Sequence, residues 1–258
     1  MQTTIKISVV IITYNEQKNI ERCLKSVQGV ADEIIVLDSF STDDTELICK
    51  QYPVRFHQHI FDGHIEQKNR AVALSNFDYV LSLDADEALS DELRASIIYI
   101  KEKFICAGYE VNRLTNYCGI WIKHSGWYPD KKLRLFDKRK GAWGGTNPHD
   151  KYILTNKNAM VGFLKGDILH YSYYSKKEHI DQTKYFSSIA AQAYFNKGKK
   201  SYWYQLIVNP ATKFISHYFI RKGFLDGVSG FTIAKLAAWG TYLKYKELNQ
   251  LWKNNSGN

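Results

Sequence analysis

Four strand-like and four helix-like segments alternate over the first hundred residues, and this alternation constrains the fold more than any other feature of the chain. Residues 7–13 (ISVVIIT) are apolar and β-branched almost without interruption, as in a strand covered on both faces of a parallel sheet. In NEQKNIERCLKSV, Ile20, Cys23, Leu24 and Val27 recur at helical spacing and form one apolar stripe. Residues 33–39 (EIIVLDS), 54–59 (VRFHQH) and 79–83 (YVLSL) read as further strands. STDDTELICKQY, with Ser41 or Thr42 as N-cap, EQKNRAVALSN and a segment from Ser90 to about Phe104 read as helices. Short connections imply an α/β fold, a right-handed, Rossmann-like and mostly parallel sheet with helices on both faces. Ligands of such sheets sit outside the carboxyl ends of the strands. Those ends carry Thr13-Tyr14-Asn15-Glu16, Asp38-Ser39 and Asp84-Ala85-Asp86-Glu87.

After residue 105 the pattern turns irregular and antiparallel, with GYEVNRLTNY and KKLRLFDK as strand candidates and glycines 141, 144 and 145 marking a loop. From about Ser175 it becomes helical and amphipathic. We divide the chain into residues 1–105, 106–175 and a helical extension 176–258. Its 258 residues suffice for one large domain with an appendage. Cys23, Cys49, Cys106 and Cys118 form no Cys-x-x-Cys pair and nothing at the start reads as a signal peptide, so free thiols in a reducing cytoplasm are expected. No apolar run reaches the ~18 residues of a membrane-spanning helix. The charge is asymmetric. Residues 1–100 hold 9 Lys/Arg against 16 Asp/Glu, and residues 101–258 hold 26 against 10. The C-terminal part should therefore meet an anionic partner: nucleic acid, a phosphorylated substrate or a membrane surface.

No P-loop and no Gly-x-Gly-x-x-Gly follows a strand, so a bound nucleotide diphosphate needs another counter-charge. Asp84-x-Asp86 at the end of a buried strand suits Mg²⁺ or Mn²⁺, which carboxylates and phosphate oxygens hold together. Asp38 can accept from a nucleobase or ribose, or close an Asx turn. Lys68, Asn69 and Arg70 open the third predicted helix, where cations are disfavoured unless an anion is near. His57, His59 and His64 lack a zinc spacing. His170 is a candidate third metal ligand, or a histidine packed among tyrosines, and His149-Asp150 follows the glycine-rich segment.

SVVIITYNEQKNIERCLKSV, DEIIVLDSFSTDDT, QKNRAVALS and YVLSLDADEALSDEL resemble the nucleotide-sugar domain of the family 2 glycosyltransferases. GWYPD, KLRLF, PHDKY and LHYSYYS are similar to lipopolysaccharide core enzymes of the β-1,4-glucosyltransferase type. The resemblance implies a GT-A fold, a nucleotide-diphosphate sugar donor, UDP-linked and carrying a hexose such as glucose, a divalent cation, and inversion at the anomeric carbon. Thr13, Tyr14, Asn15 and Glu16 would line the nucleoside pocket, Asp38 would hold the base, and Lys68 and Asn69 would lie by the ribose and diphosphate. Asp84 would face the ribose, with Asp86 on the metal. Asp150 would be the catalytic base, in Pro148-His149-Asp150 where relatives have Val-His-Glu. Trp127, Tyr128, Asp130 and His149 would lie on the acceptor side.

The acceptor implied is a lipid-linked core glycan at the cytoplasmic face of the inner membrane. Basic residues with Trp203, Phe219, Phe224, Phe231 and Trp239 would then dock the protein peripherally on anionic lipid, or the helices would only pack on the catalytic part with solvated lysines outside. A related transferase for capsule, O-antigen or other lipid-linked glycans is the near alternative. The distant one is a non-catalytic nucleotide- or nucleic-acid-binding protein, which predicts salt-sensitive oligonucleotide binding.

Overall fold

The computed structural model describes residues 4–146 and 149–256. By compactness the chain forms two units, residues 1–113 with 130–171, and residues 114–129 with 172–258. The three segments read from the sequence stand beside this division as a proposal.

The elements before residue 101 are β1 (Ile7–Thr13), α1 (Ile20–Val27), β2 (Glu33–Asp38), α2 (Thr45–Cys49), β3 (Arg55–Gln58), α3 (His64–Ala73), β4 (Tyr79–Asp84), β5 (Glu87–Leu89) and α4 (Asp91–Ile100). The first four strands lie in the order β3-β2-β1-β4, every neighbour parallel. β1 is apolar throughout because both its faces are covered. Val9 and Ile11 share one core with Cys23, Leu24 and Val27 of α1 and Leu93 and Ile97 of α4. Val10 shares the other with Ala71 of α3. Each fully buried Val, Leu or Ile contributes roughly 1.5–3 kcal/mol by leaving water, so these two layers, more than strand propensity, hold the sheet.

Several boundaries differ from expectation for local reasons. Ser41 and Thr42 do not cap α2. Ser41 bonds Asp38, Thr42 donates its N–H to Asn15 Oδ1 at 2.8 Å, and Asp43 Oδ1 accepts from Thr45 N–H at 3.0 Å. α3 starts at His64, so Lys68, Asn69 and Arg70 lie in its interior and do not open it. α4 begins as expected, with Ser90 Oγ accepting from Leu93 N–H at 3.2 Å, and ends at Ile100.

After α4 follow β6 (Gly108–Tyr117), β7 (Ile120–Ile122), β8 (Lys131–Asp137), β9 (Gly141–Thr146), β10 (His149–Leu154) and β11 (Val161–Tyr173). The sheet continues β4-β8-β6-β11-β5, with β8 antiparallel to β4 and β6, and β5 antiparallel to β11. β9 and β10 form a separate hairpin that pairs Asp150 with Gly145. The hairpin is close-packed: a Cβ at Gly141 would stand 2.4 Å from the Ile153 carbonyl. Phe136 of β8 stacks on Tyr152 at 3.5 Å between centroids. Asn69 clamps the hairpin to α3, donating to the Trp143 carbonyl and accepting from its N–H, both at 2.9 Å. These contacts carry Asp150 to α3.

The second unit is mainly helical: α5 (Lys176–Asn196), α6 (Val208–Ile215) and α7 (Gly227–Ser256), with a π-helical turn at Ser216–Ile220 and 3₁₀ turns at Trp203–Leu206 and Gly223–Asp226. Ser175 and Glu178 start α5 with a capping box. Tyr117, Ile122 and Ile233 form its core, with Trp127 and Tyr173 against it. No helix among the described residues is long and apolar enough to cross a membrane.

His179 sits edge-on to Tyr117 and Trp127 and 3.1 Å from the Tyr117 hydroxyl. Burial pushes its imidazole down to about 4. Burial, with Lys213 and Arg221, pushes His217 to about 4 as well. An unfolded histidine titrates near 6.5, so the unfolded chain binds more protons between these values. Stability from both groups is complete above pH ~6.5 and falls as pH drops towards 4. Thermal unfolding followed by circular dichroism should show this decline, and His179→Gln should flatten it. An unchanged pH slope in that variant would refute the assignment.

Candidate active site

β-sheet register sets the rim. Thr13 pairs with Asp38 and Ile12 with Asp84, so the ends of β1, β2 and β4 lie side by side. The loops after β1 and β2 are laced together: Asn15 N–H donates to Ser41 Oγ at 2.8 Å, and Glu16 N–H to Thr45 Oγ1 at 2.8 Å. Asn15 has φ +54°, a left-handed conformation that asparagine tolerates. Tyr14 is exposed, while Thr13 Oγ1 is buried without a hydrogen-bond partner among the described residues. Asp38 is fully buried. Its carboxylate accepts from Ser41 N–H and hydroxyl and from Gln58 Nε2 at 3.2 Å. Asp38 thus closes a local turn onto Ser41, three residues on, and is tied to Gln58 of β3.

The three carboxylates after β4 have three different environments. Glu87 is buried and accepts from Arg134 Nη2 at 2.8 Å and from Asp84 N–H at 3.0 Å. Asp84 meets Lys68 Nζ at 3.0 Å and Arg134 Nη2 at 3.2 Å. Burial favours its neutral acid, but the two cations outweigh this and hold it well below the usual carboxylate range. Asp86 turns to His170, whose Nε2 is 3.1 Å from Asp86 Oδ2. Burial lowers the affinity of His170 for a proton; the Asp86 carboxylate more than reverses this. Burial pushes the nearby Glu16 carboxyl up to about 7, helped by repulsion from Asp86 and Asp43 against a hydrogen bond from Asn19.

Lys68 joins the two halves of the first unit. Its buried ammonium, 4.6 Å from the Trp143 ring, also meets Asp150 Oδ2 at 2.7 Å. Lys68, Asp84, Arg134, Trp143 and Asp150 together line a cleft of about 630 Å³. Its lining holds six lysine or arginine side chains against three carboxylates, so the field favours an anionic ligand. Arg134 and Trp143 escape sequence reasoning, and Glu87, read as part of the acidic rim, is instead the buried partner of Arg134. The available signal is an arginine inside the apolar alternation of KLRLF, which needs a buried counter-charge.

For a divalent cation, the donors present are Asp86 and His170. Their oxygen and nitrogen lie close enough to share one ion, and phosphate oxygens and water complete such sites. The fit is partial, since no group of three or more His, Cys, Asp or Glu among the described residues is arranged to hold a metal. The carboxylate of Asp84, the other expected ligand, is paired with Lys68 and Arg134. His59 Nδ1 lies against the Ile60 carbonyl at 2.6 Å.

Asp130 belongs to the first unit and pairs with Arg113 at 2.9 Å and Lys132 at 3.0 Å. Trp127 and Tyr128 belong to the second unit, Trp127 in the aromatic cluster around Tyr117 and Tyr128 before a cis proline. Pro148 and the His149 side chain lie outside the described residues.

The chain matches the model of glycosyl transferase family 2 over residues 8–157. It is 31% identical over 257 residues to an uncharacterised glycosyltransferase of Rickettsia typhi, covering 95% of this chain and 87% of that one. It is 27% identical over 253 residues to the lipopolysaccharide core biosynthesis glycosyltransferase LpsC of Rhizobium meliloti, covering 95% and 92%. Among solved structures it is similar to residues 1–349 of S. aureus TarS in complex with UDP, at 15% identity and a TM-score of 0.46 over 97% of this chain and 92% of that one. With an α/β sheet of the GT-A class followed by helices, the chain belongs to glycosyl transferase family 2.

Proposed function

We propose that this transferase moves a hexose, glucose in the first instance, from a UDP-linked donor to a lipid-linked glycan of the lipopolysaccharide-core type, with inversion. The observation that carries the reading is Lys68, which ties Asp84 at the rim to Asp150 inside a cationic cleft. Thr13, Tyr14, Asn15 and Glu16 line the nucleoside side, with Tyr14 exposed for stacking on a base and Asp38 as the floor. Asp84 faces the ribose, and Lys68 and Asn69 stand by the diphosphate.

Asp150 is the base. Lys68 holds its Oδ2, which leaves Oδ1 to take the proton of an acceptor hydroxyl as that oxygen attacks C1 of the sugar. The C1–oxygen bond to the nucleotide diphosphate breaks in the same displacement. Arg134 and Lys68 fix the carboxylates around that centre, and the cleft's excess positive charge favours the anionic substrates. A Mg²⁺ or Mn²⁺ ion on Asp86 and His170 would supply counter-charge for the departing diphosphate. Trp127, Tyr128, Asp130 and His149 are assigned to the acceptor. The work takes place at the cytoplasmic face of the inner membrane, to which the protein binds peripherally.

Calorimetric titration with UDP, GDP, ADP and TDP, each with and without Mn²⁺, tests the donor and the ion together. UDP should bind tighter with Mn²⁺, and Asp86→Ala should lose at least tenfold of that enhancement while its melting temperature is kept. Metal-independent binding, or an Asp86→Ala variant that responds to Mn²⁺ like wild type, would remove Asp86 from the ion.

A further inference from the structure

The second unit carries 14 Lys/Arg against 4 Asp/Glu, yet between residues 202 and 231 it also exposes several large apolar side chains. Trp203 is 77% exposed, Ile207 64%, Phe219 56%, Ile220 73%, Leu225 56% and Val228 75%. They come from successive pieces of chain: the 3₁₀ turn before α6, Ile207 just ahead of α6, the π-helical turn, the next 3₁₀ turn and the start of α7. Phe214, Tyr218, Phe224 and Phe231 join these elements through ring contacts of 5.4–6.3 Å. A soluble monomer has no use for so many large exposed apolar groups in one segment.

The charges in this segment decide what covers it. Lys199, Lys200, Lys213, Arg221 and Lys222 are all exposed. Asp226 is the one carboxylate of residues 197–231. It is turned inward: its side chain, 4% exposed, accepts from the N–H groups of Lys123 and His124 at 3.1 Å and from Ser125 Oγ at 2.9 Å. The outward charge of the segment is therefore wholly positive. A second copy of the chain would bring the same cations against these across an isologous contact, which repels. An anionic surface with an apolar interior matches both properties at once.

We propose that this unit docks on an anionic phospholipid bilayer through the 197–231 segment, with Trp203, Ile220 and Val228 inserted among the acyl chains and the exposed cations Lys199, Lys200, Lys213, Arg221 and Lys222 on the phosphates. The inference rests on the lipid-linked acceptor proposed above and names the surface that reaches it. Trp239, grouped with this surface from the sequence, is half-buried and lies in a groove between α5 and α7 lined by Lys176, Lys184 and Lys235.

The test is co-sedimentation of the full chain with vesicles of phosphatidylglycerol and phosphatidylcholine mixed, or of phosphatidylcholine alone. Trp203→Ser/Ile220→Ser/Val228→Ser changes exposed side chains only, and Lys199→Glu/Lys200→Glu reverses two charges. Wild type should bind the anionic vesicles at least tenfold more tightly than the neutral ones. Both variants should lose at least tenfold while melting as wild type does. Equal binding of the serine variant, or no preference for anionic lipid, would overturn the proposal. So would a lipid-free dimer in analytical ultracentrifugation that the serine variant abolishes. UDP binding measured in the same variants separates the readings: if it persists without lipid binding, only the docking surface fails.

Discussion

Replacing Arg134 by leucine is expected to destabilise the protein by about 3–5 kcal/mol, the usual cost of removing one partner from a buried ion pair. The guanidinium is nearly inaccessible and is the nearest cation to the fully buried Glu87, at 2.8 Å, with Arg113 next at 3.7 Å. Without it, Glu87 must take up a proton or draw in water, and Asp84 keeps only Lys68. Urea unfolding measures the loss. Glu87→Gln combined with Arg134→Leu should recover a large part of it, since an amide does not need the cation. A loss below about 1 kcal/mol, or no recovery in the double variant, would show that the network is not organised around this pair. The pH dependence follows from Asp84. Its carboxyl is depressed in the fold, so its contribution is complete above the unfolded value near 3.9 and is lost as pH falls below it.

Asp150→Asn is expected to lower the rate of sugar transfer by about 10²- to 10⁴-fold, the range over which a positioned base contributes. The amide oxygen can still accept from Lys68, so the hairpin and the nucleotide pocket should persist. The expected outcome is a fall in kcat with the UDP Kd unchanged. Near-wild-type kcat in a variant that still binds UDP would take the base away from Asp150. Lost UDP binding would instead mean that Lys68 needs the carboxylate to hold its place between Asp84 and the hairpin.

The parallel half of the sheet is legible because its signal is local. The run at residues 7–13 has no polar face, so both faces must be covered, and α1 and α3 cover them as the spacing of Ile20, Cys23, Leu24 and Val27 implies. The carboxyl ends of β1, β2 and β4 follow from strand order alone. Helix starts are less legible, because the N–H groups of Ser41 and Thr42 are held by Asp38 and by Asn15 of the neighbouring loop, and it is Asp43 that accepts from Thr45 N–H. Lys68 illustrates the limit. Its chemistry is readable, yet the expected helix start places it in a first turn, whereas it lies inside α3 and is buried.

Amino-acid order by itself determined the alternation of strands and helices, the acidic rim, the excess positive charge after residue 100 and the family to which the motifs belong. Tertiary structure alone decided which carboxylate does what. Asp84, Asp86 and Glu87 are equivalent as letters in one short stretch, but Arg134 from β8, Lys68 from α3 and His170 from β11 approach them from distant parts of the chain and sort them. It also decided that Asp226 faces inward, which leaves the exposed charge of residues 197–231 all of one sign. The physical reason is the same in both cases. A charge takes its energy from the groups within a few ångströms of it, and the fold, not the neighbours in sequence, chooses those groups.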